Sequence, residues 1–125
     1  MHCLEVIIKR NQEAAEKKET VKKMVVWSTL IPTHDNDGNA VSDETRDAIF
    51  KNVEQFFGGY TIDSVSHGIY VSESGERFLD FHRRLTVACD DSKINDAKGL
   101  VRFICHLLCQ KTMPFFYNGT MELIS

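Results

Sequence analysis

Between Asp90 and Cys109 the apolar residues Ala97, Leu100, Val101, Ile104, Leu107 and Leu108 recur every three or four positions, behind a helix start at Asp90-Asp91-Ser92. A helix with so wide an apolar stripe must bury it against another element. Its neighbours do not share its period. Phe78 to Cys89 alternates in part through Leu79, Phe81, Leu85, Val87 and Cys89, as a half-buried strand does. Met113 to Ile124 is two short apolar runs about Asn118-Gly119, a strong hairpin signal. An amphipathic helix set between strands packs on a sheet, so the chain belongs to a layered α+β class.

The rest of the chain extends this pattern. Met24 to Thr33 is rich in Val, Trp, Thr, Leu and Ile and ends at Pro32, the composition of a buried strand with a breaker. Residues 34–39 are a polar turn, and Ser42-Asp43-Glu44 caps a helix whose stripe is Ile49, Val53 and Phe56 and whose end is Gly58-Gly59. Tyr60 to Tyr70 is a strand with a bulge or kink at Ser66-His67-Gly68, joined through residues 72–76 to the strand after it as a hairpin. The order β-α-β-β-α-β over residues 24–125 predicts a ferredoxin-like sandwich, an antiparallel sheet with two helices on one face. Residues 1–23 are rich in Glu, Lys, Ala and Gln and predict a helical N-terminal extension that packs on a partner subunit. The other sheet face needs a cover. With eight Phe, three Tyr and one Trp in the chain, a homo-oligomer is expected.

Charge and cysteine usage exclude several function classes. A length of 125 residues supports one core, and a net charge of −3 gives no positive field to draw the chain to nucleic acid. The Lys17-to-Lys23 run is interleaved with glutamates as on a solvated helix face. No apolar run approaches the ~18 residues of a membrane span, and no secretory signal opens the chain, so a cytoplasmic location is expected. Cys3, Cys89, Cys105 and Cys109 have irregular spacing and read as reduced thiols. No metal site and no cofactor are expected: Cys105-x-x-x-Cys109 lacks a second ligand pair. The run from Thr33 to Glu44 imitates a calcium loop but lacks its first ligand and its preceding helix. Asn118-Gly119-Thr120 reads as a turn rather than a glycosylation site. His82, Arg83 and Arg84 form a cluster that suits either a polar strand face or an anion.

The stretch Phe56-Phe57-Gly58-Gly59-Tyr60-Thr61, followed by Gly68-Ile69-Tyr70 and Glu73, carries the most chemistry. Two glycines permit close backbone approach, two tyrosines offer stacking faces with a hydroxyl, and Glu73 adds a carboxylate. Such a group suits a cationic or aromatic small ligand, and it also suits an ordinary helix stop before an amphipathic strand.

At these residues, with Leu85 to Asp91 and with Cys109-Gln110 ahead of Phe115-Phe116-Tyr117, the chain resembles small phage and bacterial ferredoxin-like proteins of the phage S-adenosylmethionine lyase family. The resemblance covers roughly residues 56 to 120. It implies cleavage of S-adenosylmethionine to methylthioadenosine and homoserine lactone, an anti-restriction role, and sites between the subunits of a homotrimer. Tyr60 and Glu73 are then the ligand-binding tyrosine and acid, with Gly58, Gly59, Tyr70 and Gln110 as further substrate contacts. The lyases carry a second acid near the end of the last helix, where this chain has Cys109-Gln110. The same residues also suit a non-catalytic oligomer that binds a nucleotide-like ligand or inhibits a host protein.

Overall fold

The computed structural model describes residues 22–125. The expected N-terminal extension lies outside the described residues except for Lys22 and Lys23, which are exposed and in neither helix nor strand. Among the described residues no helix is long and apolar enough to cross a membrane.

The described residues are α+β, with a six-stranded antiparallel sheet and two α-helices. Strand β1 (Val25–Pro32) is central because alternate residues, Trp27, Thr29 and Ile31, are apolar or hydrogen-bonded and turn inward. Thr29 is fully buried, and its hydroxyl donates to the Pro114 carbonyl at 2.6 Å, so its burial leaves no orphan donor. Helix α1 (Asp43–Phe57) follows, then β2 (Thr61–Ile62), β3 (Ser66–Val71) and β4 (Arg77–Cys89). A 3₁₀ turn (Asp91–Lys93) leads into helix α2 (Ile94–Leu107), and β5 (Met113–Tyr117) and β6 (Thr120–Ile124) complete the chain. One edge of β1 pairs with β4 from Val25↔Cys89 to Pro32↔His82, and the other with β5. The sheet order is β2-β4-β1-β5-β6, with β3 continuing along β4 beyond β2. The hairpin expected at Asn118-Gly119 is present, with both residues at positive φ (53° and 75°), as a two-residue turn matched to strand twist requires.

The strand expected over residues 60–70 is broken, but not at the glycine. Between Ile62 and Ser66 three residues stand where β4 has two, Arg83 and Arg84, so the bulge is at 63–65. The Asp63 amide still donates to the Arg84 carbonyl at 3.0 Å. The extra residue reverses which side chains face which way, placing His67, Ile69 and Val71, not Tyr70, on the helix side of the sheet. Gly68 sits inside β3, where a Cβ would stand 3.4 Å from the His82 ring.

Both helices cover the same sheet face. Ile49 and Val53 of α1 and Ala97, Leu100, Val101 and Ile104 of α2 join one buried cluster with Trp27, Leu85, Val87 and Phe115. Trp27 and Phe115 stack with centroids 5.3 Å apart, and Phe57 meets Trp27 edge-on at 5.5 Å. Two details differ from the expected stripes. Phe57 packs on this core in place of Phe56, and Leu107 faces outward, because at 100° per residue the buried faces centre on Ile49-Val53-Phe57 and Ala97-Val101-Leu108, with Phe56 and Leu107 at their margins.

The helix ends are fixed by local chemistry. Ser42 Oγ accepts from the Thr45 amide at 3.1 Å, and Gly58 (φ 82°) donates its amide to the Glu54 carbonyl at 2.8 Å. At the end of α2 the left-handed position is taken by Cys109 (φ 52°), whose carbonyl accepts from Asn36 Nδ2 at 2.6 Å. A side chain there is strained where glycine is not. We expect Ser42→Ala to lower unfolding free energy by about 1 kcal/mol and Cys109→Gly to raise it by roughly 0.5–1 kcal/mol. Urea denaturation of the two variants checks both signs.

Candidate functional site

The left-handed cap at Gly58 turns the chain out of α1 and across the edge of the sheet, and Gly59 and Tyr60 follow before β2. The Tyr60 ring stacks on Phe50 of α1, with centroids 5.1 Å apart and planes 18° apart, and the residue is 37% exposed. A cleft of about 370 Å³ opens beside it, lined by Phe57, Gly58, Gly59, Tyr60 and Thr61 and floored by Val26, Thr86 and Ala88. A Cβ at either glycine would meet nothing within 4 Å, so the backbone of this turn is open to a ligand.

The cleft lies on the rim of the sheet face opposite α1 and α2, which no helix among the described residues covers. Val26, Met121 and Leu123 stand out of that face at 54–63% exposure. At its centre the Arg84 guanidinium donates to Ser28 Oγ at 2.8 Å and lies 4.6 Å from the Phe116 ring centroid, a cation–π contact. Among the described residues Arg84 has no carboxylate partner. Strand alternation splits the His82-Arg83-Arg84 cluster: His82 and Arg84 share the open face, while Arg83 stands opposite Ile31 on the helix side. Across β1 a second depression of about 410 Å³ is lined by Val26, Ser28, Phe116 and the β5–β6 turn.

Gly58, Gly59 and Tyr60 are therefore brought together, and the other proposed contacts are not. Tyr70 stacks on Phe78 at 6.1 Å on the hairpin made by β3 and the first half of β4, and Glu73 is in its turn, where the Ser72 amide donates to the Glu76 carbonyl. That hairpin extends past the helices, and Ile69, Val71, Leu79 and Phe81 on one side and Tyr70 and Phe78 on the other are all 41–60% exposed. Thr61, next to Tyr60, pairs with Thr86, and Val71, before Glu73, pairs with Arg77. Nine residues of β4 separate those levels, roughly 30 Å of strand, so Tyr60 and Glu73 of one chain cannot touch one ligand. Gln110 lies at the other end of β1, and its side-chain amide donates to the Leu108 carbonyl at 3.2 Å.

Sequence reasoning missed Phe50 as the partner that fixes the Tyr60 ring, and it missed Phe116 and Ser28 as the seat of Arg84. The signal was the parity of Ser28, Arg84 and Phe116 once the strands are in register. The Thr33-to-Glu44 segment is a turn in which Asp35 Oδ1 accepts from the Asp37 and Asn39 amides, both at 2.9 Å.

Desolvation by burial holds the His82 imidazole below its ordinary value, Arg84 and His67 add to this, and Asp80 opposes it. The folded state therefore binds a proton less readily than the unfolded chain. Stability is lost as pH falls through the unfolded imidazole range and regained as it rises. Between about pH 8 and pH 5, wild type should lose more unfolding free energy than His82→Asn. Urea midpoints at the two pH values check this, and equal losses would contradict it.

Neither a protein-family model nor a curated protein matches the chain in sequence. In fold it is similar to a phage SAM lyase solved in complex with S-methyl-5'-thioadenosine, with a TM-score of 0.61 over 86% of this chain and 96% of that one, at 9% identity. A phage SAM lyase in the apo state superposes with a TM-score of 0.56 over 83% of this chain and 89% of that one, at 10% identity. The chain thus resembles phage SAM lyases in structure.

Proposed function

We propose that this chain is a phage-type S-adenosylmethionine lyase that works as a homo-oligomer, a trimer by analogy, in the cytoplasm of a host whose restriction it counters. The fold is taken as a ferredoxin-like sandwich enlarged by the β2–β3 bulge and by β6. Each helix crosses over one strand, α1 over β4 and α2 over β1, as in a split β-α-β unit. The observation that carries the activity is the open cleft at Gly58-Gly59-Tyr60, on a fold similar over most of both chains to a lyase that holds the nucleoside product.

The chemistry asks little of the protein. The substrate's own carboxylate oxygen attacks the methylene carbon bonded to the sulfonium, and a C–O bond forms as the C–S bond breaks. The electron pair returns to sulfur, giving neutral methylthioadenosine and homoserine lactone, with no proton transferred. Opposite charges cancel as the transition state is approached, so the enzyme needs a folded-back conformer held in a water-poor site rather than a nucleophile. Tyr60 provides a ring face for the adenine part, held by Phe50, and a hydroxyl for a polar contact. Glu73 of a second copy balances the substrate's ammonium group, since no chain can bring its own Glu73 to its own Tyr60. Tyr70 enters on the same hairpin.

One observation favours the non-catalytic alternative. Gln110 stands where the lyases have a second acid, and its amide is spent on the Leu108 carbonyl. Incubation with S-adenosylmethionine, followed by chromatography of methylthioadenosine and homoserine lactone, decides between the readings: many turnovers per chain are expected, and saturable binding without product would overturn the lyase. Tyr60→Phe should lower kcat/KM roughly tenfold and Glu73→Gln about a hundredfold, each with an unchanged far-UV circular dichroism spectrum.

A further inference from the structure

The depression beside Tyr60 and the one beside the β5–β6 turn adjoin at Val26, which lines both. A single register row connects them. Thr61, Thr86, Ser28, Phe116 and Met121 stand opposite one another in turn across β2, β4, β1, β5 and β6, on the sheet face opposite α1 and α2. The Arg84 side chain starts from the neighbouring row, where its Cα partner is Leu30, and brings its guanidinium onto this one at Ser28 and Phe116. Ser28 is only 8% exposed, and its Oγ accepts from Arg84 at 2.8 Å. A hydroxyl that accepts still has a proton to give, and among the described residues that proton reaches no acceptor. Thr86, beside Ser28 and on the floor of the Tyr60 cleft, adds a second hydroxyl.

We infer that Arg84 and Ser28 form an anion subsite that takes the carboxylate of the substrate's amino-acid tail while the purine lies at Tyr60. The inference rests on the lyase reading above and adds a contact from the same chain as Tyr60. From the strand of Thr61 to that of Ser28 is two strand spacings, roughly 10 Å, a span that a ribose and its amino-acid chain cross. The donors suit the ligand. A guanidinium keeps several N–H groups after giving one to Ser28, and the Phe116 ring at 4.6 Å shields it from water on one side, which strengthens a charge-assisted bond. With one carboxylate oxygen held, the other is left to attack. Ring closure then turns the carboxylate into a neutral ester, so the grip lapses with the reaction. Homoserine lactone is left with an ammonium group near a guanidinium, and like charges favour its departure.

Calorimetry with two unreactive probes tests this without turnover: S-adenosylhomocysteine, whose neutral sulfur is joined to an intact amino-acid tail, and its decarboxylated counterpart. The probes differ only in the carboxylate. Wild type should bind the first roughly ten- to a hundredfold more tightly. Arg84→Met, which keeps an unbranched stem, should retain the wild-type circular dichroism spectrum and bind the two alike, and Ser28→Ala should narrow the preference severalfold. Should Arg84→Met fail to fold, Arg84→Lys takes its place, with a reduced preference because the charge stays and the fork is lost. Equal affinity of wild type for the two probes, binding of neither, or a folded Arg84 variant that keeps the full preference would each overturn the inference. Product from S-adenosylmethionine without a carboxylate preference would overturn this subsite and leave the lyase reading standing; the preference without product would do the reverse.

Discussion

The mismatch between the length of β4 and the length of its helical cover governs this molecule. Thirteen residues of β4 are hydrogen-bonded along the sheet, but only its last part, from Leu85 to Cys89, lies beneath the helices. Where cover exists, Leu85 and Val87 are fully buried and join Trp27 and Phe115 in the core. Where it ends, Leu79 and Phe81 continue the same apolar side into solvent. Backbone pairing with β3 holds the hairpin in place, while among the described residues no helix covers its side chains. The bulge at 63–65 belongs to this design, because it lets one edge serve β4 on both sides of the change in cover.

Much of this was legible in the sequence. The α2 stripe, the Ser42 and Gly58 caps and the Asn118-Gly119 turn are local signals, each read from a few neighbouring residues and each found in place. The bulge was misplaced because Gly68 is a strong local signal. A Cβ at this position would come no closer than 3.4 Å to the His82 ring across the strand pair, so the glycine sits in regular strand and marks no break. Phe56 was exchanged for Phe57 because i+7 and i+8 from Ile49 both lie near the stripe, and only the packing on Trp27 selects between them.

The candidate site was legible only in part. Gly58, Gly59 and Tyr60 are contiguous, and their cleft follows from a helix stop. Tyr70 and Glu73 are close to Tyr60 in number but are carried away along β4, since an extended strand moves each residue farther than a helix would. Residues near in sequence were grouped by chemistry, and the sheet separates them. Phe50 and Arg84 entered through the fold: one reaches Tyr60 from a helix, and the other is singled out from Arg83 by parity alone. In the proposed lyase reaction the substrate supplies its own nucleophile, a chemistry that leaves few marks in a sequence.

The proposed site is a property of two chains, and subunit mixing measures this directly. Tyr60→Phe and Glu73→Gln chains, each assayed alone with S-adenosylmethionine, would be dissociated together, reassociated and assayed again. If Tyr60 and Glu73 act across an interface, random reassembly restores an intact pair at roughly one site in four, and methylthioadenosine production rises above that of either parent to about that share of wild type. A mixture no more active than the mean of its two parents would contradict a shared site.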